Sequence, residues 1–308
     1  MSSKILVVGS LNMDLVAFAP RIPVPGETLT GHTFLSVPGG KGANQAFAAA
    51  RLGADVAMLG RVGADDLGRQ LRENLSGAGC DVRGVMTTAD TTTGIALIFV
   101  ADSGQNSIVI VAGANGKLSP EDVAAMSSRF DGVAQVLLQL ESPIATVVAA
   151  AQAARRAGAR VILDPAPAPS SALPAELLAH VDILTPNETE AAILTGAAPR
   201  RMNPEEAIEV GRLLRSMGPG TVIVKLGEQG VALITAEGSQ VLQAPSVAAV
   251  DSTAAGDIFN AALAAALSDG GEIAAACRFA NRAAALSVTR RGAQSSAPSR
   301  AEVDAFSS

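Results

Sequence analysis

Two short glycine-containing segments carry side chains that could bind or transfer a charged group. The first reads Pro38-Gly39-Gly40-Lys41-Gly42-Ala43-Asn44-Gln45-Ala46. Its glycines allow the backbone to approach a ligand closely, Lys41 adds a cation, and Asn44 adds a donor and an acceptor at the start of a predicted helix. The spacing differs from that of a Walker A loop. The alternative is a strand-to-helix turn with a solvated lysine.

The second segment reads Asp251-Ser252-Thr253-Ala254-Ala255-Gly256-Asp257-Ile258-Phe259-Asn260 and leads into a helix of small residues. Ala254, Ala255 and Gly256 leave successive backbone N–H groups unobstructed, which predicts an anion hole at a helix N-terminus. Asp257 would then lie beside a bound phosphate, where it could accept a proton from an attacking hydroxyl. The alternative is that Asp257 only caps the helix.

The elements that must position these segments alternate between strand and helix. Short β-branched runs cover residues 5–8, 56–59, 136–140, 161–163, 183–184, 222–224 and 231–234. Helical patterns cover residues 42–51, 67–75, 143–157, 204–216 and 259–267. Runs that are apolar throughout are typical of strands buried on both faces. The rhythm predicts an α/β fold with a doubly wound, mostly parallel sheet flanked by helices.

Two stretches, residues 12–37 and 93–111, interrupt this alternation and lack a helical pattern. The second indicates a hairpin, with strands at 94–100 and 107–111 joined by a turn at Asp102-Ser103-Gly104. Ligands of open α/β sheets bind at the carboxyl ends of the strands, and a small β-sheet could cover that edge as a lid. The sequence thus predicts one domain over residues 1–308 with a lid formed by these two stretches.

Composition and charge exclude several classes of protein. The chain has 308 residues, 23 Lys plus Arg against 29 Asp plus Glu, and no Trp or Tyr. A net charge of −6 without basic runs excludes a nucleic-acid partner, which needs a concentrated basic surface. Cys80 and Cys277 have no metal-site or disulfide spacing, and no apolar run approaches the length of a membrane span. The start, Ser2-Ser3-Lys4 and four apolar residues, is too short for a signal peptide, so a cytoplasmic location without membrane contact is expected.

Taken together, the two segments and further motifs along nearly the whole chain resemble the PfkB-type, or ribokinase, family of carbohydrate kinases. The further motifs are Val8-Gly9-Ser10-Leu11-Asn12-Met13-Asp14, Pro25-Gly26-Glu27-Thr28, Gly60-Arg61-Val62-Gly63-Ala64-Asp65-Asp66-Leu67-Gly68, Leu138-Gln139-Leu140-Glu141-Ser142-Pro143, Asp164-Pro165-Ala166-Pro167, Thr185-Pro186-Asn187-Glu188-Thr189-Glu190, Leu226-Gly227-Glu228-Gln229-Gly230 and Val288-Thr289-Arg290-Arg291-Gly292-Ala293-Gln294-Ser295-Ser296.

The resemblance implies a site for ATP and a site for a sugar, D-ribose, phosphorylated at its primary 5-hydroxyl. The positions implied for the sugar are Asn12, Asp14, Gly40, Lys41, Asn44, Glu141 and Asp257. Those implied for the nucleotide are Asn187, Glu190, Lys225, Gly227, Gly230, Gly256 and Asn281. Relatives often carry Thr where this chain has Lys225, and the role of that lysine stays open. Asp14 could instead be a turn residue, and Glu141 a carboxylate at a helix N-terminus.

The resemblance also implies the catalytic groups and ions. Asp257 is expected to accept the hydroxyl proton while the N–H groups of Ala254, Ala255 and Gly256 and a Mg²⁺ ion stabilise the transferring phosphoryl group. A monovalent cation, K⁺, is expected beside the anion hole at Asp251, Thr253, Ser287, Arg290, Gly292 and Ser296. Lid closure would exclude water, and a homodimer joined through the lid is expected.

Three other functions compete with this interpretation. A sibling kinase could act on 2-deoxyribose, fructose or a nucleoside, although the few aromatic residues disfavour a base-binding pocket. A non-catalytic sugar-binding relative would have no use for Asp257 as a base. A Rossmann-type oxidoreductase is disfavoured because Gly9-Ser10-Leu11-Asn12 follows the first strand in place of G-x-G-x-x-G.

Overall fold

The computed structural model describes residues 4–306 and has an α/β architecture with two separate β-sheets. Ser2 and Ser3, which entered the signal-peptide argument, and the ends of the predicted 1–308 domain lie outside the described residues. The strands are β1 (Lys4–Val8), β2 (Asn12–Ala19), β3 (Thr33–Gly39), β4 (Val56–Gly63), β5 (Asp81–Thr88), β6 (Gly94–Ala101), β7 (Asn106–Val111), β8 (Val133–Leu138), β9 (Arg160–Leu163), β10 (Ile183–Leu184), β11 (Thr221–Lys225), β12 (Val231–Ile234) and β13 (Ser239–Leu242).

Ten α-helices connect and cover these strands within residues 4–306. They are α1 (Lys41–Arg51), α2 (Asp66–Gly77), α3 (Pro120–Ala125), α4 (Ile144–Arg156), α5 (Ala175–Leu178), α6 (Glu188–Leu194), α7 (Pro204–Ser216), α8 (Ala255–Ser268), α9 (Ile273–Ser287) and α10 (Arg300–Ala305). Ser119 and Asn203 form capping boxes at the starts of α3 and α7, where each precedes a proline. Both caps satisfy backbone donors that a helix start otherwise leaves unpaired.

The nine-stranded main sheet has the order β13-β12-β11-β10-β9-β8-β1-β4-β5. Seven neighbouring strands, from β11 to β5 in that order, are parallel, and β12 and β13 continue the sheet antiparallel. Ile5, Leu6 and Val7 of β1 are fully buried because helices cover both faces of the sheet. The predicted α/β class and mostly parallel sheet are therefore confirmed.

The parallel strands bring their carboxyl ends to one edge of the main sheet. The segments that follow β1, β8, β9, β10 and β11 there carry Asn12, Glu141, Asp164, Asn187 and Gly227, respectively. Residues far apart in the sequence therefore meet at the edge where open α/β sheets bind their ligands. The start of α8 faces the same edge, because Lys225 at the end of β11 lies next to Gly256.

The second sheet contains four strands in the order β3-β2-β6-β7. β2 pairs with β3 and β6 with β7 antiparallel, while β2 and β6 run parallel. The predicted hairpin is present as β6 and β7. Several large apolar side chains of this sheet are exposed, including Phe34, Ile108, Val109 and Ile110. The sheet therefore has an apolar surface that the described residues, 4–306, leave uncovered.

Some boundaries differ from those predicted. The strand predicted at 136–140 ends at Leu138, and the helix predicted from Phe259 begins at Ala255, so its first four residues were left out. Strand β5 was missed because it lies at an edge of the main sheet, where only Gly84 and Val85 are buried, and it lacks the continuous apolar run used to find the others. Among residues 4–306, no helix is both long enough and apolar enough to cross a membrane.

Candidate active site

A cavity of about 450 Å³ opens at the carboxyl edge of the main sheet. Nine predicted site residues line it: Lys41, Asn187, Glu190, Lys225, Gly227, Ala254, Ala255, Gly256 and Asp257. Its walls also include Asp164, Ala166, Glu188, Thr189, Arg201 and Ser252, which were not predicted. The two glycine-containing segments and the motif at 187–190 thus border one cavity, although more than 200 residues separate Lys41 from Asp257.

The predicted anion hole corresponds to the first turn of α8. Ala254 is the N-cap in a left-handed conformation with φ of 59°, and its side chain makes no capping hydrogen bond. The backbone N–H groups in the first turn of a helix have no acceptor within the helix. Here the Ala255 N–H donates a hydrogen bond to the Ser252 carbonyl at 3.2 Å. Those of Gly256 and Asp257 remain at the cavity wall, where the helix dipole favours an anion.

Asp257 is the third residue of α8 and its side chain is buried, with 5% of the residue exposed. Its Oδ2 accepts a hydrogen bond from Asn44 Nδ2 at 3.0 Å, and its Oδ1 accepts one from Gln45 Nε2 at 3.1 Å. The alternative that Asp257 caps the helix is wrong, because the cap position belongs to Ala254. Burial raises the pKa of Asp257, while the nearby Lys41 ammonium counteracts that rise.

Lys41 is the first residue of α1 and stands beside Asp257 in the cavity wall. Burial on its own would lower the pKa of Lys41, but attraction to Asp257, Asp164, Glu141 and Glu190 outweighs burial and raises it. Lys41 is therefore a permanent cation at neutral pH. A cation fixed beside a carboxylate and an anion hole can both bind phosphate oxygens and keep the carboxylate ionised.

The predicted sugar residues lie next to this wall. Gly40 has φ of 88°, and a Cβ there would come within 2.6 Å of the Asn12 backbone nitrogen, so only glycine fits. Glu141 Oε2 accepts hydrogen bonds from the Lys41 backbone N–H, at 3.1 Å, and from the Ser10 hydroxyl. Asn12 accepts a hydrogen bond from Asn115 Nδ2 at 2.8 Å. Glu141 therefore holds the β1 and α1 segments together instead of capping α4, whose N-cap is Pro143.

Asp14 lies within strand β2, so the turn alternative for this residue is wrong. Its carboxylate packs against the Cα of Gly39, where an added Cβ would meet Oδ2 at 2.2 Å. No donor within residues 4–306 hydrogen-bonds to that carboxylate. Burial, followed by repulsion from Glu141 and Asp257, raises the pKa of Asp14 to about 7. Donors on a bound ligand would relieve this unfavourable arrangement, as expected for a sugar-binding carboxylate.

The predicted nucleotide residues divide into two groups. Asn187 and Glu190 form the capping box of α6, in which Glu190 Oε2 accepts a hydrogen bond from the Asn187 N–H at 2.8 Å. Both line the cavity, as do Lys225 and Gly227. Gly230 and Asn281 lie outside its lining: Asn281 Nδ2 donates to the carbonyls of Leu242 and Gln243, and a Cβ on Gly230 would meet the Leu242 oxygen at 2.1 Å. These two residues fix the chain after β13.

Asp164 and Gln45 are the functional candidates that sequence reasoning missed. Asp164 Oδ1 accepts a hydrogen bond from Lys225 Nζ at 2.9 Å, and Asp164 Oδ2 accepts one from Gln45 Nε2 at 3.2 Å. Because Gln45 also donates to Asp257, one amide connects the candidate base with the Asp164–Lys225 ion pair. The signal for Asp164 was its position directly after a buried strand, within a motif already singled out. Gln45 looked like an ordinary helix residue.

The six residues predicted for a monovalent cation belong to two segments that the structure brings together. Asp251 Oδ2 accepts a hydrogen bond from the Gly292 N–H at 2.8 Å, and Oδ1 accepts two from the Thr253 N–H and hydroxyl. Burial raises the pKa of Asp251, but these hydrogen bonds together lower it, which keeps the carboxylate ionised. Ser287 and Ser296 donate their hydroxyls to backbone carbonyls three residues earlier, and Arg290 pairs with Glu302.

Known proteins resemble this chain over its full length. The family described as pfkB family carbohydrate kinase matches residues 2–300. A ribokinase of Haemophilus influenzae is 42% identical, with 99% of each chain covered. A deoxyribokinase of Salmonella typhi is 38% identical, covering 96% of this chain and 95% of the relative. The structure of Arabidopsis thaliana ribokinase complexed with ribose and ATP has a TM-score of 0.90, with 36% identity and 100% of each chain covered.

Proposed function

The chain belongs to the pfkB family of carbohydrate kinases, and from that premise we propose that it transfers the γ-phosphoryl group of ATP to the primary 5-hydroxyl of D-ribose. It is a phosphotransferase with a sugar hydroxyl as acceptor. One observation supports the reaction above all: a buried carboxylate, Asp257, lies at the start of a helix whose free N–H groups face a cavity lined by two lysines.

In the proposed reaction, Asp257 accepts the proton of the sugar hydroxyl as that oxygen attacks the γ-phosphorus in line with the departing ADP. Asn44 and Gln45 hold the carboxylate so that it points at the acceptor site. The N–H groups of Gly256 and Asp257, with Lys41, offset the charge on the transferring group. Asn12, Asp14 and Glu141 hold the sugar through its hydroxyls, while the wall at Asn187, Lys225 and Gly227 holds the nucleotide.

The oxygen donors around the cavity fit the Mg²⁺ ion that normally accompanies ATP. Magnesium prefers one or two carboxylates and keeps several waters besides the phosphates. Glu190 meets this requirement, because Asn187 occupies only its Oε2 and leaves Oε1 for an outer-sphere contact. When bound near Glu190, Mg²⁺ would neutralise negative charge on the phosphate oxygens. Burial raises the pKa of Glu190, and the Lys225 ammonium partly offsets that rise.

A coupled ADP-release assay tests the proposal with D-ribose, 2-deoxyribose, fructose, adenosine and no sugar. We expect kcat/KM for D-ribose to exceed that for every other acceptor. A preference for 2-deoxyribose would assign the second candidate, which the similarity to a deoxyribokinase favours. Sugar binding without ADP release would overturn the kinase function and support a binding protein.

Replacing Asp14 with asparagine should weaken D-ribose binding yet stabilise the ligand-free protein at alkaline pH. The folded carboxyl has a pKa of about 7 against a usual value near 3.8. Ionisation therefore costs stability as pH rises from 4 to 7, and the substitution removes that cost, on the order of 2 to 4 kcal/mol. Urea unfolding at pH 8 and pH 4 measures the difference, and calorimetry measures ribose and ADP binding.

Asp131→Asn is the matched control for Asp14→Asn, because Asp131 is exposed. We expect this control to leave both stability and binding unchanged. Ribose affinity should fall about tenfold with Asp14→Asn, as is typical for a lost hydrogen bond to a charged group, while ADP affinity stays constant. Equal loss for both ligands would show that Asp14 supports the whole fold and not the sugar site.

We also propose that K⁺ activates the enzyme by binding beside the loop that leads into the anion hole. Asp251 supplies one formal charge there, and Arg290 and Gly292 can offer only backbone carbonyls. Hydrogen bonds from Gly292 and Thr253 hold the Asp251 carboxylate where the two segments meet. A cation bound beside Asp251 would order Ala254 and the N–H groups that follow it. We expect initial rates at constant ionic strength to be highest in KCl, lower in NaCl and lowest in tetramethylammonium chloride.

The Asp251→Ala variant should lose most of the difference between these salts. Its residual rate in KCl should approach the native rate in tetramethylammonium chloride. If the native enzyme has equal rates in all three salts, the cation site is wrong, although the kinase function would stand.

We further propose that the second sheet serves as the lid over the sugar and as the surface that joins two copies of the chain. Asn12 and Asp14 belong to both the sheet and the sugar site, so movement of β2 would reach the ligand directly. The exposed apolar residues Phe34, Ile108 and Ile110 fit burial against a second copy. Light scattering on the native chain and on Ile108→Glu tests this: we expect a dimer and a monomer, respectively.

A further inference from the structure

The loop between α6 and α7 brings an arginine to the rim of the active-site cavity. Met202 anchors the loop, since it is 3% exposed within the hydrophobic core and its N–H donates to Glu188 Oε1 at 2.7 Å. Asn203 then caps α7 through a reciprocal pair of hydrogen bonds with Glu206. The backbone on the C-terminal side of Arg201 is therefore fixed, and Arg201 itself lines the cavity together with Glu188 and Thr189.

Arg201 and the preceding residue, Arg200, make different contacts. Arg200 Nη1 pairs with Glu206 Oε1 at 2.8 Å on the surface and does not line the cavity. Arg201 has no carboxylate within 4.0 Å among residues 4–306. Other charges around the cavity are engaged: Lys225 pairs with Asp164, Lys41 is attracted to Asp257, and Glu188 accepts from Met202. Arg201 is thus an uncommitted cation at the wall that carries Asn187 and Glu190.

We propose that Arg201 binds the polyphosphate of the nucleotide and positions it against the anion hole of α8. A guanidinium presents five donors in a planar fork that matches two phosphate oxygens, which the point charge of a lysine cannot reproduce. The cavity that Arg201 borders is also lined by Gly256 at the start of α8. The role rests on the proposed function, because it requires ATP in this cavity, and it adds a nucleotide contact that none of the motifs includes.

Calorimetric titration of ADP and AMP, each with Mg²⁺ and without sugar, tests this role in Arg201→Ala and in Arg200→Ala. We expect Arg201→Ala to weaken ADP about tenfold, as is typical for loss of one charge-assisted hydrogen-bonding partner, and to leave AMP nearly unchanged. Arg200→Ala should bind both nucleotides like the native chain. In steady-state assays, KM for ATP should rise in Arg201→Ala while KM for the sugar stays constant, and Arg201→Lys should recover only part of the loss.

Equal ADP affinities in the two alanine variants would overturn the role of Arg201, as would an equal loss of ADP and AMP. Both residues are exposed, so thermal unfolding should show that each variant folds like the native chain. Failure of the proposed function has a different signature. The native chain would then bind ADP through Arg201 but release no ADP from ATP when D-ribose is added.

Discussion

Asp257→Asn is expected to fold like the native chain and to lose phosphoryl transfer by a factor of about 10² to 10⁴, the usual contribution of a general base. The substitution keeps the size of the side chain, but an amide cannot accept the proton of the attacking hydroxyl. The amide oxygen can still accept the hydrogen bond from Asn44, and Gln45 keeps its bond to Asp164. The surrounding network therefore loses one hydrogen bond, and the fold is retained.

Single-turnover rates with saturating ATP and sugar measure this loss, and calorimetry should find both ligands bound within a small factor of the native affinity. Asp269→Asn is the matched control, because Asp269 caps the opposite end of α8 and is an exposed partner of Arg300. Exposed ion pairs contribute little, so this control should keep its full rate. A near-native kcat for Asp257→Asn would remove the proton-acceptor role and leave Asp257 as an organiser of Asn44 and Gln45.

Residues adjacent to a strand end or a helix start were predictable from the sequence, because local pattern determines where such residues emerge. Lys41 and Asp257 illustrate this: glycines and small residues marked two helix starts, and both starts line the cavity. The α/β class followed in the same way from continuous apolar runs. Helix α8 nevertheless begins at Ala255, four residues before the predicted start, because its first three residues, Ala255, Gly256 and Asp257, carry no apolar periodicity.

Contacts between distant segments could not be predicted from the local sequence pattern. Gln45 bridges Asp257 and Asp164 only because the fold places α1 within hydrogen-bond distance of both the start of α8 and the residue after β9. Arg201 reaches the cavity because Glu188 holds the backbone of Met202, a pairing between residues 14 apart. Asn281, which the resemblance assigns to the nucleotide, donates to the backbone carbonyls of Leu242 at the end of β13 and of Gln243 just after it. Spacing in the sequence cannot reveal which polar side chains share a buried network.

The departure at Lys225 receives a physical explanation from Asp164. Lys225 is the last residue of β11, and Asp164 directly follows β9. Because these two strands flank β10, the two side chains meet at the carboxyl edge of the sheet. The Asp164 side chain is 3% exposed, the Lys225 side chain is 13% exposed, and Nζ lies 2.9 Å from Oδ1. A Cβ added to Gly256 would lie 3.3 Å from the same Nζ. Lys225 therefore neutralises a buried carboxylate while its charge lies next to the proposed anion hole.

Lys225→Met is accordingly expected to lower the free energy of unfolding of the ligand-free protein by about 3 kcal/mol, since removing one partner leaves the other charge buried and unpaired. The double variant Asp164→Asn and Lys225→Met should recover most of that loss, because neither charge remains and the new amide can still accept from Gln45. Urea unfolding of the native chain, both single variants and the double variant provides the coupling free energy. Arg155→Met, which removes a cation from a half-exposed pair with Asp182, is the control and should cost about 1 kcal/mol or less.

The same four proteins separate the structural role of the pair from its role in catalysis. If Lys225 also contacts the phosphates, the double variant should recover stability while its KM for ATP stays raised, because no cation replaces the lost ammonium. Asp164→Asn alone should keep ATP affinity, since Lys225 is retained and its charge is freed toward the anion hole. Additive stability losses in the double variant would show that Asp164 and Lys225 do not act as a pair. Recovery of both stability and ATP affinity would confine Lys225 to neutralising Asp164.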